Sequence, residues 1–558
     1  MSYDLNKIKA PHVAGMAMQA FTLALENAGL RAALLPKLLR DADFEAFRDR
    51  RLSEQPSVVP QIARNQSVPD VALTTERPEG PQGSTPEGSF DFLTCHDFTT
   101  AYLAGQSSPE QVAQRVLQAI DQGDSMSPPM RTMIASHKDD VMEQARNSAD
   151  RYRDGKVLGP LDGVPIAVKD ETDQFPYPTT LGTSFMNNPV AADSTVVRLL
   201  REAGALLIGK ANMHEIGLGV TGLNPHHGTA RNPYHPDHHT GGSSSGSAAA
   251  VASGLCPIAI GADGGGSIRI PASLCGAVGL KATYGRISEH GVPPLCWSVA
   301  HLGPIAATAR DCAIAYLTIA GEDPNYLAGV GQPAAHTNDF NNLDLKGLNI
   351  GIYEPWFEDA EPDIVSSCRE MIDHLTGLGA QVIAIEIPEL ELARLAHTVS
   401  ITAEMNTAME SHYLEDSSRF GLDVRTNLAL ARTFTAIDYV RAQQARTRFS
   451  AILNGVLSEV DVIASPSTGI TAPAIHPGAL SHGESNLPVL GELMRFAFPA
   501  NLSGLPAISF PCGYNAQGLP IGIQFMAAAW QEHLLLRLAH AGEAATLRAA
   551  PRVHFPLL

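Results

Sequence analysis

Apolar and polar positions follow three different rhythms along the chain. Residues 13–25 are apolar or glycine except for Gln19 and Thr22, and Leu30, Ala33, Leu34, Leu35, Leu38 and Leu39 then recur at i, i+4 spacing. Both stretches predict amphipathic helices. Lys7 and Lys9 ahead of the first would suit a signal peptide, but Glu26-Asn27-Ala28-Gly29 closes the run without a small-residue cleavage site. A second texture, over residues 66–89, is rich in Pro and Gly with little aliphatic content and predicts a linker. Helical patterns resume over residues 92–121 and 134–152. From residue 161 short apolar runs (164–168, 205–209, 257–261) alternate with helical stretches (194–203, 247–255). Residues 348–353, 362–378 and 381–387 read as a further strand, helix and strand. This alternation predicts an α/β body around a largely buried sheet. Residues 466–520, rich in Pro and Gly, predict loops and short strands beside a cleft. The chain thus divides into a helical extension (1–65), a linker (66–90) and a large domain (91–558).

Composition narrows the class. With 44% hydrophobic and 17% charged residues the chain is an ordinary globular mixture. Lys+Arg 39 against Asp+Glu 58 leaves a net charge of −19 without any Lys/Arg-rich run, which excludes the footprint of a nucleic-acid binder. The 7 cysteines are scattered and include no C-x-x-C pair, so a reducing, cytoplasmic setting is expected rather than a disulfide framework. No apolar stretch reaches the roughly 18 residues of a spanning helix. The N-terminal helices are nevertheless too apolar to face water. They must cover the body, a second protomer in a homodimer, a membrane surface contacted peripherally, or the chain of a substrate.

Three segments place chemistry where a core would not want it. In Leu161-Asp162-Gly163-Val164-Pro165-Ile166-Ala167-Val168-Lys169-Asp170 a lysine ends an apolar strand. It either emerges into water or lies desolvated, where loss of its charge would make it a base. In Thr240-Gly241-Gly242-Ser243-Ser244-Ser245-Gly246-Ser247 a run that elsewhere would be a flexible linker opens an Ala-rich helix. It also fits G-x-S-x-G, which would make Ser244 a nucleophile. The third segment carries Asp263-Gly264-Gly265-Gly266-Ser267-Ile268-Arg269 behind an apolar run. Three glycines can turn several N–H groups toward one point, with Ser267 as nucleophile and those groups as its oxyanion hole. The P-loop pattern is absent, which argues against a phosphate cradle. Asp263 and Arg269 are expected to pair and fix the loop. His226, His227, His235, His238 and His239 crowd together, but their spacing misses H-E-x-x-H and prolines argue for a loop, so surface histidines without metal are expected.

Taken together, these segments resemble the amidase signature family. The resemblance also rests on Gly209-Lys210-Ala211-Asn212-Met213-His214-Glu215, Gly279-Leu280-Lys281-Ala282-Thr283-Tyr284-Gly285-Arg286, Pro499-Ala500-Asn501-Leu502-Ser503-Gly504-Leu505-Pro506 and Gly518-Leu519-Pro520-Ile521-Gly522-Ile523-Gln524. It implies an α/β amidase-signature fold, a central mixed β-sheet covered by helices on both faces with the N-terminal helical extension added. It implies catalysis without cofactor or metal. Ser267 would be the nucleophile, Ser243 a relay serine held by a cis peptide bond, and Lys169 the base. The oxyanion and substrate would be held at Gly264, Gly265, Gly266, Ser267 and Ser243. Ser245, Gly264 and the segment Lys9-Ala10-Pro11-His12-Val13-Ala14-Gly15 are similar to the plant-type fatty acid amide hydrolases. That subgroup implies a small-molecule amide substrate with a long acyl chain. The alternatives are an amidase for aryl or short-chain amides or carbamates, a Ser-His-Asp hydrolase built on Ser244, and an amidotransferase A-type subunit releasing ammonia to a partner.

Overall fold

Eleven strands form one mixed sheet. Its order from edge to edge is Met133–Ala135, Leu206–Ala211, Pro165–Lys169, Ile258–Ala262, Leu302–Ala306, Val278–Lys281, Ala507–Tyr514, Pro520–Ala527, Val462–Pro466, Asn349–Ile352 and Gln381–Ala384. This computed structural model describes residues 3–8, 10–63 and 86–558, so most of the linker expected over 66–90 lies outside the described residues. Parallel pairs occupy both flanks, Pro165–Lys169 with its two neighbours and Asn349–Ile352 with its two. The strands between them pair antiparallel. Helices flank the sheet, and strands Pro165–Lys169, Leu206–Ala211 and Ile258–Ala262 are buried at every residue, which is why they read as unbroken apolar runs. The edge strand Gln381–Ala384 departs from the expected burial, since all four residues face solvent.

Three further departures have local causes. The helical pattern over 92–121 is two helices, Cys95–Leu103 and Pro109–Asp124. The second starts afresh at a Ser108/Gln111 capping box followed by proline at its first position. Ile134 belongs to the edge strand, and its helix begins only at Lys138. Residues 466–520 hold two short helices, Leu487–Met494 and Phe498–Ser503, as well as the eight-residue strand Ala507–Tyr514. Pro488 and Pro499, read there as breakers, sit in the first turns of these helices, where no N–H is missed.

At the N-terminus, helices Gly15–Glu26, Ala28–Asp41 and Phe44–Asp49 wrap the body. The first buries Met18, Thr22 and Leu25, and Thr22 Oγ1 meets Thr426 Oγ1 at 2.7 Å on helix Leu422–Ala431. The second buries no residue fully. Its Leu35, Leu38 and Leu39 instead help to roof a cavity of about 340 Å³. Among the described residues no helix is long and apolar enough to cross a membrane.

Candidate active site

Strand Pro165–Lys169 ends in the interior, and Lys169 has no exposed surface. Its Nζ donates to Ser243 Oγ at 2.8 Å and to the Ala262 carbonyl at 3.4 Å, and Glu171 Oε2 lies 2.6 Å away. The parallel neighbour Ile258–Ala262 supplies that carbonyl, so sheet register sets the lysine's reach. The strand-end lysine in water is therefore not what the fold builds.

Ser243 precedes helix Ser245–Ala252, and its peptide bond with Gly242 is cis. The His214 N–H donates to the Ser243 carbonyl at 3.0 Å, and the Ser244 N–H to the Ser267 carbonyl at 3.3 Å, which sets the two serine segments side by side. Ser244 itself is fully buried. Its hydroxyl donates to Ala262 O and accepts from Ala262 N, both at 3.2 Å, and so is committed to the backbone rather than presented as a nucleophile elbow.

The glycine loop hangs on Asp263. Its carboxylate accepts from the Gly266 N–H at 2.6 Å, the Ile268 N–H at 3.2 Å and Arg269 Nε at 3.0 Å. Arg269 also donates to Gln524 Oε1 at 2.7 Å and Asn501 Oδ1 at 2.6 Å, tying the loop to strand Pro520–Ala527 and helix Phe498–Ser503. Burial alone would push the Asp263 carboxyl up, but Arg269, Asn501 and Lys281 outweigh it and hold the group well below the usual range. The Gly266 N–H is thereby spent on Asp263 and drops out of the expected oxyanion donors. Among the described residues no acceptor takes the N–H groups of Gly264, Gly265 or Ser267, and Ser267 keeps 5% of its surface exposed. Gly266 has φ +117°, and a Cβ there would stand 2.5 Å from Ile270 Cδ1 and 2.7 Å from Ala497 Cβ. Only glycine fits both constraints.

His397, on helix Leu390–Asp416, was invisible to sequence reasoning because 133 residues separate it from its partner, the Gly264 carbonyl, to which Nε2 donates at 2.8 Å. Burial lowers this imidazole to about 4, the Gly264 bond opposing only in part, so it is neutral near pH 7. Glu171 and Cys296 were also missed. Asn501 and Gln524 lay within quoted motifs without being singled out. Of the clustered histidines, His226 goes to Glu215 at 2.8 Å and His227 to the Thr183 carbonyl at 2.8 Å, while the rings of His235 and His238 pack edge-on against each other. His239 is buried rather than superficial. Among the described residues no three His, Cys, Asp or Glu side chains converge as a metal site requires.

The cavity under the N-terminal helices backs onto this loop through two shared side chains. A Cβ at Gly265 would meet Met494 Cε at 2.8 Å and His397 Cε1 at 2.9 Å, and both side chains line the cavity. Phe21, Leu35, Phe44 and Phe434 make most of its other surface apolar.

A buried lysine–serine pair beside a glycine loop on a mixed sheet, with the amidase family profile matching residues 114–536, places this chain in the amidase signature family, whose members are hydrolases acting on amides. Among its relatives, a fatty acid amide hydrolase of Oryza sativa subsp. indica is 40% identical, covering 99% of this chain and 95% of that protein. A glutamyl-tRNA(Gln) amidotransferase chain of Synechococcus sp. (strain RCC307) is 33% identical over 79% of this chain and 95% of its own length. The structure of native peptide amidase from Stenotrophomonas maltophilia superposes with a TM-score of 0.71 at 29% identity, covering 83% of this chain and 98% of the other.

Proposed function

We propose that this chain hydrolyses N-acyl amides with a long, apolar acyl chain, of the N-acylethanolamine kind, through an acyl-enzyme on Ser267. The observation that carries the reading is the 2.8 Å bond from buried Lys169 to Ser243 beside a loop with unclaimed N–H groups. Ser267 Oγ attacks the amide carbon, its proton passing to Ser243 and the Ser243 proton to Lys169. The developing oxyanion is received by the N–H groups of Gly264, Gly265 and Ser267, each worth about 3 kcal/mol. On collapse the C–N bond breaks, and the relay returns a proton to the leaving nitrogen. Water then cleaves the acyl ester by the same route in reverse. The apolar cavity supports the acyl preference, since each CH₂ moved into it from water gains about 0.8 kcal/mol. The 40% identity to a fatty acid amide hydrolase points the same way.

The test is covalent labelling with a fluorophosphonate, alongside hydrolysis of an N-acylethanolamine by the chain purified alone. Ser267→Ala is expected to abolish both. Labelling that survives in Ser267→Ala and vanishes in Ser244→Ala would move the nucleophile. Ammonia release from glutamine without hydrolysis of the acyl amide would favour the amidotransferase relative's chemistry.

A further inference from the structure

A lysine that takes a proton from Ser243 must present a lone pair, yet its surroundings suit an ammonium. Ser243 Oγ at 2.8 Å, Glu171 Oε2 at 2.6 Å and the Ala262 carbonyl at 3.4 Å are three acceptors for three N–H bonds. Glu171 follows the lysine by two residues and keeps only 7% of its side chain exposed. A Cβ placed on Gly217 would lie 3.4 Å from Ser243 Oγ and 3.8 Å from Glu171 Oε2, so the relay serine and this carboxylate border one small space.

The other titratable groups facing the pair do not compete for the proton. Burial, reinforced by Glu171, pushes the Glu289 carboxyl well above its usual range despite a bond from Tyr326. Burial and then Glu171, Glu404 and Glu289 push the Cys296 thiol up, Lys169 opposing. The Cys296 thiol, whose ordinary value already exceeds 7, stays neutral there, and the upward shift of Glu289 disfavours a second carboxylate charge beside the pair. Asp170 faces away, accepting from Thr180 Oγ1 and from the Gly182 N–H at 3.1 Å, with Lys210 at 3.5 Å.

Resting on the serine-relay reading, we propose that Glu171 is the positioning residue that holds the lysine's proton during catalysis. In the reactive tautomer one Nζ–H bond breaks and an Oε2–H bond forms, leaving a neutral amine beside a neutral carboxylic acid. Nζ then takes the Ser243 proton while Ser243 Oγ takes that of Ser267. On collapse Lys169 hands a proton back through Ser243 to the leaving nitrogen, and the pair regains its starting count. Because the two tautomers hold the same number of protons, their ratio does not depend on pH as long as the pair as a whole does not titrate.

The experiment compares kcat/KM for an acyl amide in the wild type, Glu171→Gln and Glu171→Asp across the neutral and alkaline range. The wild type and Glu171→Asp should give level profiles through neutrality. Glu171→Gln must release the lysine's proton to solvent, so its rate should climb about tenfold per pH unit, about 100-fold below wild type near pH 6 and converging with it at high pH. Loss of the same factor at every pH in Glu171→Gln would make Glu171 merely structural and overturn the proposal. If circular dichroism shows that Glu171→Gln does not fold, the wild-type profile decides. A tenfold rise per pH unit through neutrality there would equally overturn it. Failure of the relay reading is separate, because it would appear as undiminished labelling of Ser267→Ala whatever the Glu171 profiles show.

Discussion

An arginine on a carboxylate anchors both the glycine loop and the N-terminal wrap, and the two pairs are built differently. Arg269 and Asp263 are both at 0% side-chain exposure, and Asp263 also holds two backbone N–H groups of the loop. Arg425 and Glu26 keep 15% and 20% of their side chains exposed, with Tyr413 and Ser417 as further donors to Glu26. The first pair fixes the backbone conformation of the glycine loop, at the cost of desolvating two charges. The second clasps two helices that meet at a surface. A removed partner therefore leaves a stranded buried charge in the loop but only a rehydrated one at the wrap.

The contrast is broken most directly at Asp263. Asp263→Ala should cost about 3–5 kcal/mol in urea unfolding, because Arg269 is left buried without its counter-charge. A cost under 1 kcal/mol would show that Gln524 and Asn501 suffice for Arg269. Next comes His397, which lines the cavity on one side and bonds the Gly264 carbonyl on the other. With its folded value near 4 against 6.5 unfolded, the unfolded chain binds the proton first as pH falls. The histidine thus removes stability between about pH 6.5 and 4, by at most about 3 kcal/mol. His397→Gln, whose amide can still donate to Gly264, should flatten that slope. Unfolding curves of variant and wild type that stay parallel from pH 7 to 4.5 would remove His397 from the account.

Smaller effects belong to the wrap. Leu35→Ser, in the cavity roof, should lower kcat/KM for a long-chain acyl amide about tenfold relative to an acetyl amide, through lost apolar contact of roughly 1.4 kcal/mol. Equal losses on both substrates would mean the helices are plain cover. Smallest is Arg425→Ala, expected to cost about 1 kcal/mol or less and to fade further in salt. A loss of several kcal/mol would show the wrap and body to be one cooperative core.

The lysine and glycine–serine segments were legible because their demands are local. A lysine ending an apolar strand and glycines that cannot bear a Cβ are written into short stretches around residues 161–170 and 260–271. The Asp263–Arg269 pair, six residues apart, was legible for the same reason. The commitment of the Gly266 N–H was not, since three neighbouring donors of one loop look alike until the Asp263 side chain chooses among them. Pro488 and Pro499 misled in the opposite way, because a first-turn proline and a loop proline carry the same local signal.

By itself the sequence determined the buried inner strands Pro165–Lys169, Leu206–Ala211 and Ile258–Ala262, where the strand-end lysine and the glycine–serine segments stand, and that the N-terminal helices must cover apolar surface, all being matters of periodicity and residue type. Only the tertiary structure decided that Glu171 rather than solvent meets Lys169, that His397 grips the Gly264 carbonyl, and that Leu35 roofs a cavity lined on another side by His397 and Met494. The contacts of His397 and Leu35 join residues far apart in the chain through helix docking, and even Lys169 and Glu171, two residues apart, meet only because the fold buries both side chains, so each depends on how all the elements pack at once.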